Sequence, residues 1–171
     1  NMMGASAAGL RTGAYVYSYA TTVEGAVAEA TMAVNALANM PISFPVVFDI
    51  EDEVQKSLTP IQQQELVNAF CTVVENAGYY PMVYTYKNWF MNRLGTTMYD
   101  QWVAQYADVC DAPVPFTVWQ ATSNGAVPGI AGRVDINYLY KDYSQEIIQT
   151  GWIARKGFNY FYENWHMKTG W

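Results

Sequence analysis

Apolar and polar positions along this chain follow two rhythms, and their order predicts strand, helix, strand through the first half. Ala14-Tyr-Val-Tyr-Ser-Tyr19 alternates with period two, which puts Tyr15, Tyr17 and Tyr19 on one face of a strand. From 22 to 39 the spacing becomes helical, with Val23, Ala26, Val27, Ala30, Val34 and Leu37 on one stripe. Thr21 with Glu24 predicts a capping box at its start. Residues 46–50 form an apolar run that reads as a buried strand. The next helix carries clear end signals: Thr59 as N-cap, Pro60 at the first position, Gln62 closing a capping box, and Gly78 past the end. Residues 81–85 predict a third strand, and 87–93 a short helical piece.

Beyond residue 100 the pattern changes. Residues 102–106, 117–121 and 134–137 read as short strands joined by loops too brief for full helices, and Asn124-Gly125 is a hairpin-type turn signal. The body is therefore α/β, with parallel crossovers first and helix-poor strands last. Six strands can be counted, whereas a closed barrel of this kind needs about eight. The opening Asn1-Met-Met-Gly-Ala-Ser lacks the regions of a signal peptide and reads as the end of a helix cut mid-domain. The expectation is an irregular (β/α) TIM-like barrel lacking its first strands.

Candidate chemistry lies where the second strand ends, in Phe48-Asp-Ile-Glu51. Asp49 and Glu51 share one side of that strand, roughly 6–7 Å apart at the backbone. Acids at the C-terminal ends of buried strands are where barrel and open α/β enzymes keep their active sites. Mutual repulsion at that distance lets one carboxyl hold its proton near neutral pH while its neighbour stays charged, as glycoside hydrolysis requires. An acidic loop after a strand is the plainer alternative. Asp52 and Glu53 continue the run and read as solvated charges.

Composition sharpens this. Fourteen Tyr, six Trp and seven Phe supply rings of the kind that stack on sugars, although a Tyr-rich core accounts for part of them. Residues 1–150 hold six Lys/Arg against fourteen Asp/Glu, whereas 151–171 hold three against one. An acidic body without a basic stripe argues against nucleic acid. No apolar run is long enough to span a membrane. Two cysteines, Cys71 and Cys110, are too few for a disulfide framework, and Cys71, on the apolar side of its helix, is expected as a free buried thiol.

Five blocks, Gly13-Ala-Tyr-Val-Tyr-Ser-Tyr-Ala20, Phe48-Asp-Ile-Glu51, Gln101-Trp-Val-Ala-Gln-Tyr106, Val118-Trp-Gln-Ala-Thr122 and Gly132-Arg-Val-Asp-Ile-Asn137, together resemble glycoside hydrolase family 25, the lysozymes (N-acetylmuramidases) of bacteria and their phages. The resemblance spans roughly residues 1–143. It implies a peptidoglycan hydrolase that cleaves the β-1,4 bond between N-acetylmuramic acid and N-acetylglucosamine, acting at the cell wall. It implies Glu51 as general acid, Asp49 as the group that orients or charge-balances it, and Asp135 as a further active-site acid. Tyr19, Tyr84, Trp102, Tyr106 and Gln120 match strand ends where the family lines its sugar cleft. No metal or organic cofactor is implied. The family opens with a strand bearing an essential Asp, and no such segment precedes Asn1 in this chain. The alternative is thus a non-catalytic wall-binding fragment that keeps the cleft.

From Gly151 the character shifts again. Gly-Trp recurs after 19 residues with a Tyr-Phe-Tyr run between, resembling one repeat of the choline-binding, or cell-wall-binding, family. The resemblance implies a short β-hairpin repeat over 151–171, joined through a linker at 144–150. Trp152, Tyr160 and Trp171 would cage choline or another wall polymer by cation–π attraction. Trp165 stands where that family usually has Gly. His166 has no partner in the sequence for metal binding or catalysis.

Overall fold

The computed structural model describes residues 1–155 and 157–168. A short helix α1 (Met2–Ala7) leads into β1 (Ala14–Tyr17), followed by α2 (Val23–Leu37), β2 (Val46–Asp49), α3 (Pro60–Asn76), β3 (Pro81–Tyr86) and the short α4 (Lys87–Trp89). Then come β4 (Asp100–Ala104), β5 (Val118–Gly125), β6 (Val134–Leu139), β7 (Thr150–Arg155), β8 (Phe158–Glu163) and β9 (His166–Met167). Strands β1 to β5 are parallel neighbours in sequence order and β6 joins antiparallel, making one six-stranded curled sheet. Strands β7 to β9 form a separate antiparallel sheet.

The parallel half is built as the pattern predicts. Helix α3 starts with Thr59 Oγ1 accepting from the Gln62 backbone N–H, while Gln62 Oε1 takes the Thr59 N–H at 2.9 Å. It ends before Gly78, whose φ of +87° a side chain would strain. Leu66, Val67, Phe70, Cys71 and Val74 face the sheet, and the Phe70 ring lies 4.5 Å from that of Phe48. Burying a ring of this size stabilises the fold by roughly 2–3 kcal/mol. Cys71 and Cys110 are both free, and Cys71 is fully buried.

Three local expectations are corrected. Helix α2 is capped by Thr22, whose hydroxyl accepts from Gly25 N–H, rather than by a Thr21–Glu24 box. The residue three past this cap is Gly25, which has no carboxyl to close a box. Asn124-Gly125 is not a turn but the end of β5: a Cβ on Gly125 would meet Ile136 Cγ1 at 2.3 Å, so this glycine serves close strand packing. The reversal instead falls near Val127 and Ile130, bonded N–H to C=O, with Gly129 at φ +89°. Finally, β4 spans 100–104, two residues earlier than its pattern suggested.

The end of the sheet away from the acids is closed by the last third of the chain. Asp100 Oδ2 accepts from Tyr80 Oη (2.8 Å), Tyr143 Oη (2.9 Å) and Lys141 Nζ (3.0 Å). The stretch expected as a linker places Ile147 in a second apolar core with Val47, Met82, Val118, Tyr143 and Tyr162. The small sheet docks there too: Met167 N–H donates to Gly78 O at 2.8 Å, and His166 Nε2 lies 2.7 Å from Tyr79 Oη. Sequence alone gave His166 no partner; the fold supplies Tyr79.

Candidate active site

Strand register determines what meets on the concave face. Tyr17 pairs with Asp49, Asp49 with Tyr84, and Tyr84 with Trp102, so these four side chains form one row across β1 to β4. Above that row opens a cleft of about 320 Å³, large enough for a sugar-sized ligand. Asp49, Glu51 and Asp135 line it, walled by Tyr84, Trp102, Tyr106 and Gln120. The sequence therefore placed seven of its eight cleft and catalytic candidates together. Tyr19 is the exception: it stands at the rim, 65% exposed, with its ring 5.2 Å from that of Tyr17. Its strand mates Tyr15 and Tyr17 line the cleft instead. The period-two alternation had already grouped these three rings, so the face was legible but the depth was not.

The two acids of β2 differ in environment. Asp49 is 7% exposed, and its Oδ1 meets no hydrogen-bond donor. Burial, reinforced by the Glu51 charge, pushes its carboxyl up to about 8. Glu51, one pleat further out, is half-buried and reaches both this cleft and an adjoining hollow beside Tyr86 and Ala104. Burial and then the Asp52 charge raise its pKa as well. Asp52 sits in the loop that follows, where its carboxylate accepts from Tyr17 Oη at 3.0 Å and from Val54 N–H at 3.0 Å. It is thus a structured cap rather than a free solvated charge.

The aromatic wall is held by its polar tips. Gln120 Oε1 accepts from Tyr84 Oη at 3.0 Å and from Tyr106 Oη at 3.2 Å. Trp102 Nε1 donates to Asn137 Oδ1 at 2.9 Å, and its ring meets Tyr84 edge-on at 5.0 Å. Burial and the nearby acids drive the Tyr84 phenol well above its ordinary range, which keeps it a donor. Among the described residues no group of His, Cys, Asp and Glu is arranged to hold a metal ion. No helix among them is long and apolar enough to cross a membrane.

Of the expected tail site, Trp152 is 64% exposed and packs against Phe161. The face of Tyr160 is covered by the Arg155 guanidinium at 4.4 Å, and Trp171 lies outside the described residues.

A curled, mostly parallel sheet with three carboxyls gathered in one cleft defines an α/β half-barrel. Residues 1–130 match the glycosyl hydrolases family 25, and the chain belongs to that family. It is similar to an autolytic lysozyme of Clostridium acetobutylicum, 27% identical over 154 residues, covering 88% of this chain and 45% of that protein. Among solved structures it is similar to the CTP1L endolysin, at 26% identity and TM-score 0.69, covering 85% of this chain and 53% of that one. It is also similar to the modular autolysin LytC of Streptococcus pneumoniae, at 26% identity and TM-score 0.69, covering 80% and 36%. The chain thus spans about half or less of the length of these relatives.

Proposed function

We propose that this chain is the cleaving part of a peptidoglycan hydrolase acting at the cell wall on the β-1,4 bond between N-acetylmuramic acid and N-acetylglucosamine. Residues 1–143 form the catalytic unit in this reading. The carrying observation is the division between the two acids that line the cleft: Asp49 is 7% exposed at its floor, whereas Glu51 stands half-buried and open to a ligand. Only an acid that touches substrate can protonate it. Glu51, whose pKa is raised by burial and by neighbouring charge, gives its proton to the glycosidic oxygen as the C–O bond breaks, so the leaving sugar departs as an alcohol; water then adds to the anomeric carbon, and the proton it loses restores the acid. Neutral Asp49 orients Glu51 or the substrate's acetamido group. Asp135, across the cleft on β6, supplies the further negative charge beside the developing cation. The tyrosine and tryptophan rings provide stacking walls.

Among the described residues β1 is an edge strand of its sheet, and Tyr15 and Tyr17 on it and Tyr19 just past it are exposed. A strand laid there would complete the cleft and bring the family's first-strand Asp. That open edge is also what favours the second reading, a wall-binding protein that keeps the cleft without cleaving. Residues 151–171 would then contact a choline-bearing or other wall polymer, with Trp152 and Phe158 exposed among the described residues.

The test is Glu51→Gln in the whole protein, assayed by turbidity of Gram-positive cell walls. Gln preserves shape but has no proton to give, so lysis should fall by about 10²–10⁴-fold with the fold unchanged. Lysis within about threefold of the parent would remove Glu51 from the mechanism.

A further inference from the structure

Beneath the acids lies a set of buried amides that the cleft itself does not expose. Gln55, fully buried in the turn Glu53–Ser57, uses every polar atom it has. Its Oε1 accepts the Asp52 backbone N–H at 3.2 Å, and its Nε2 donates to Ser18 Oγ and to Ala20 O, both at 3.1 Å. Its own carbonyl accepts from Gln63 Nε2 at 3.1 Å. Gln63, also fully buried on α3, passes the link on: its Oε1 takes Trp89 Nε1 at 2.9 Å. Ser18 is fully buried and its Oγ also accepts from Ala20 N–H at 3.1 Å. The loops that follow β1, β2 and β3 are therefore joined from below through two glutamine side chains.

We infer that Gln55 is a positioning residue for the proposed general acid: it fixes the 50–55 loop, and with it the depth and orientation of Glu51, against the loop after β1. The inference rests on the role given to Glu51 above.

The physical argument is one of stakes. Glu51 is followed directly by Asp52, whose backbone N–H is held by Gln55 and whose carboxylate is held by Tyr17. An extended stretch with two clamps one residue beyond the acid has little freedom to swing it. A side chain bonded at all its polar atoms in a dry site is stiff, because releasing any one bond leaves a buried group unpaired, at a cost of roughly 1–3 kcal/mol. Reaction geometry is sensitive to such holding, since a misplacement of about 1 Å can cost about 100-fold in rate. Glu51 shares the cleft with Asp49 at the end of β2, Tyr17 from β1, Tyr84 from β3, Tyr106 after β4 and Asp135 from β6, and has Asp52 beside it in the loop. Loosening the loop lets water reach Glu51 and lowers its pKa toward the ordinary carboxylate range.

Gln55→Leu keeps the volume and removes the side-chain bonds; Ser18→Ala removes one acceptor and is the milder cut. The carboxyl of Glu51 is titrated by NMR in the full chain, alongside thermal melts, and wall lysis is measured in the whole protein. For Gln55→Leu the Glu51 pKa should fall by at least about half a unit, with a smaller fall of the same sign for Ser18→Ala. Lysis should lose about tenfold or more in kcat with KM within about threefold, and its alkaline limb should move to lower pH. A lower Tm with Glu51 titrating as in the parent would show a merely structural role and overturn the inference. Should Gln55→Leu not fold, Ser18→Ala decides on the same criterion. The titration reads positioning even where wall lysis is absent, so failure of the hydrolase assignment is told apart from failure of this one.

Discussion

Asp49 ends β2 and Glu51 follows it two residues on, yet burial separates them: Asp49 is enclosed with an unpartnered carboxyl oxygen, and Glu51 stands half-buried at the cleft. One pleat of a strand thus makes two different acids. The inner one is held neutral by the absence of water, and the outer one is raised by partial burial and by the charge of Asp52. Two carboxyls whose environments differ in this way titrate apart from one another.

Asp49 should make the protein pay in stability as pH rises. Its folded pKa of about 8 lies above the ordinary 3.8, so between those values the folded chain holds a proton that the unfolded chain has released. Unfolding then releases a proton, and stability falls as pH rises through that window. Asp49→Asn keeps shape and neutrality and should flatten this slope, stabilising the fold at pH 8 by at least about 1 kcal/mol while wall lysis drops. Denaturant melts from pH 4 to pH 8 check it. An unchanged slope would mean that Asp49 ionises freely in the folded state.

Gln120 should matter through the two phenols it joins. Gln120→Leu leaves Tyr84 and Tyr106 without their shared acceptor, and Tyr84 is partly buried. The expected loss is about 1–2 kcal/mol of stability, because hydroxyls at the rim can turn to water. Binding of peptidoglycan oligosaccharides should weaken about three- to tenfold as the aromatic wall loosens. Calorimetric titration with soluble fragments, on a Glu51→Gln background to prevent turnover, measures this directly. Unaltered affinity would reduce Gln120 to packing.

Much of this was legible in the sequence. Helix α3, with Thr59, Pro60 and Gly78 marking its ends, was fixed by local chemistry that no tertiary contact opposes. The position of the acids was visible because the apolar run before Asp-Ile-Glu marks a buried strand, which puts Asp49 at its C-terminal end and Glu51 just past it. What stayed hidden depends on three-dimensional neighbours. Gln55 and Gln63 look like ordinary polar helix residues, and only the fold brings Ser18 and Trp89 to them. Gly125 follows an Asn, and the turn signal of that pair is overridden by the close approach of Ile136. The relation of Tyr79 to His166 spans 87 positions, beyond any local pattern.

The small sheet should depend on Gly78. Its φ is +87°, and a Cβ there would stand 2.3 Å from Met167 O, against the backbone of β9. Gly78→Ala combines left-handed strain of about 1 kcal/mol with that clash, so a loss of about 2–3 kcal/mol is expected, with faster proteolysis after residue 149. Gly95→Ala is the control: its φ is +70° but nothing lies within 4 Å of the added Cβ, so it should cost only the backbone strain. Equal losses in the two variants would remove the β9 contact as the cause.

The last prediction concerns the tail as a choline site. A cage for a quaternary ammonium needs several open aromatic faces. Here the face of Tyr160 already carries Arg155, which also lies 4.9 Å from Tyr80 and pairs with Glu146 at 3.4 Å. Among the described residues of the tail the exposed rings are Trp152, which packs against Phe161, and Phe158. A cage with its Tyr160 face already taken holds a cation weakly, so this 171-residue chain should pass through a choline-substituted matrix without retention. A longer chain carrying further aromatic repeats should be retained, and Trp152→Ala or Trp171→Ala should weaken it about five- to thirtyfold, since a desolvated cation–π contact contributes about 1–2 kcal/mol. Retention of the 171-residue chain undiminished by Trp152→Ala would place any choline site elsewhere. Loss of retention in a longer chain carrying Arg155→Ala would show instead that the guanidinium supports the cage by holding Tyr160 in place.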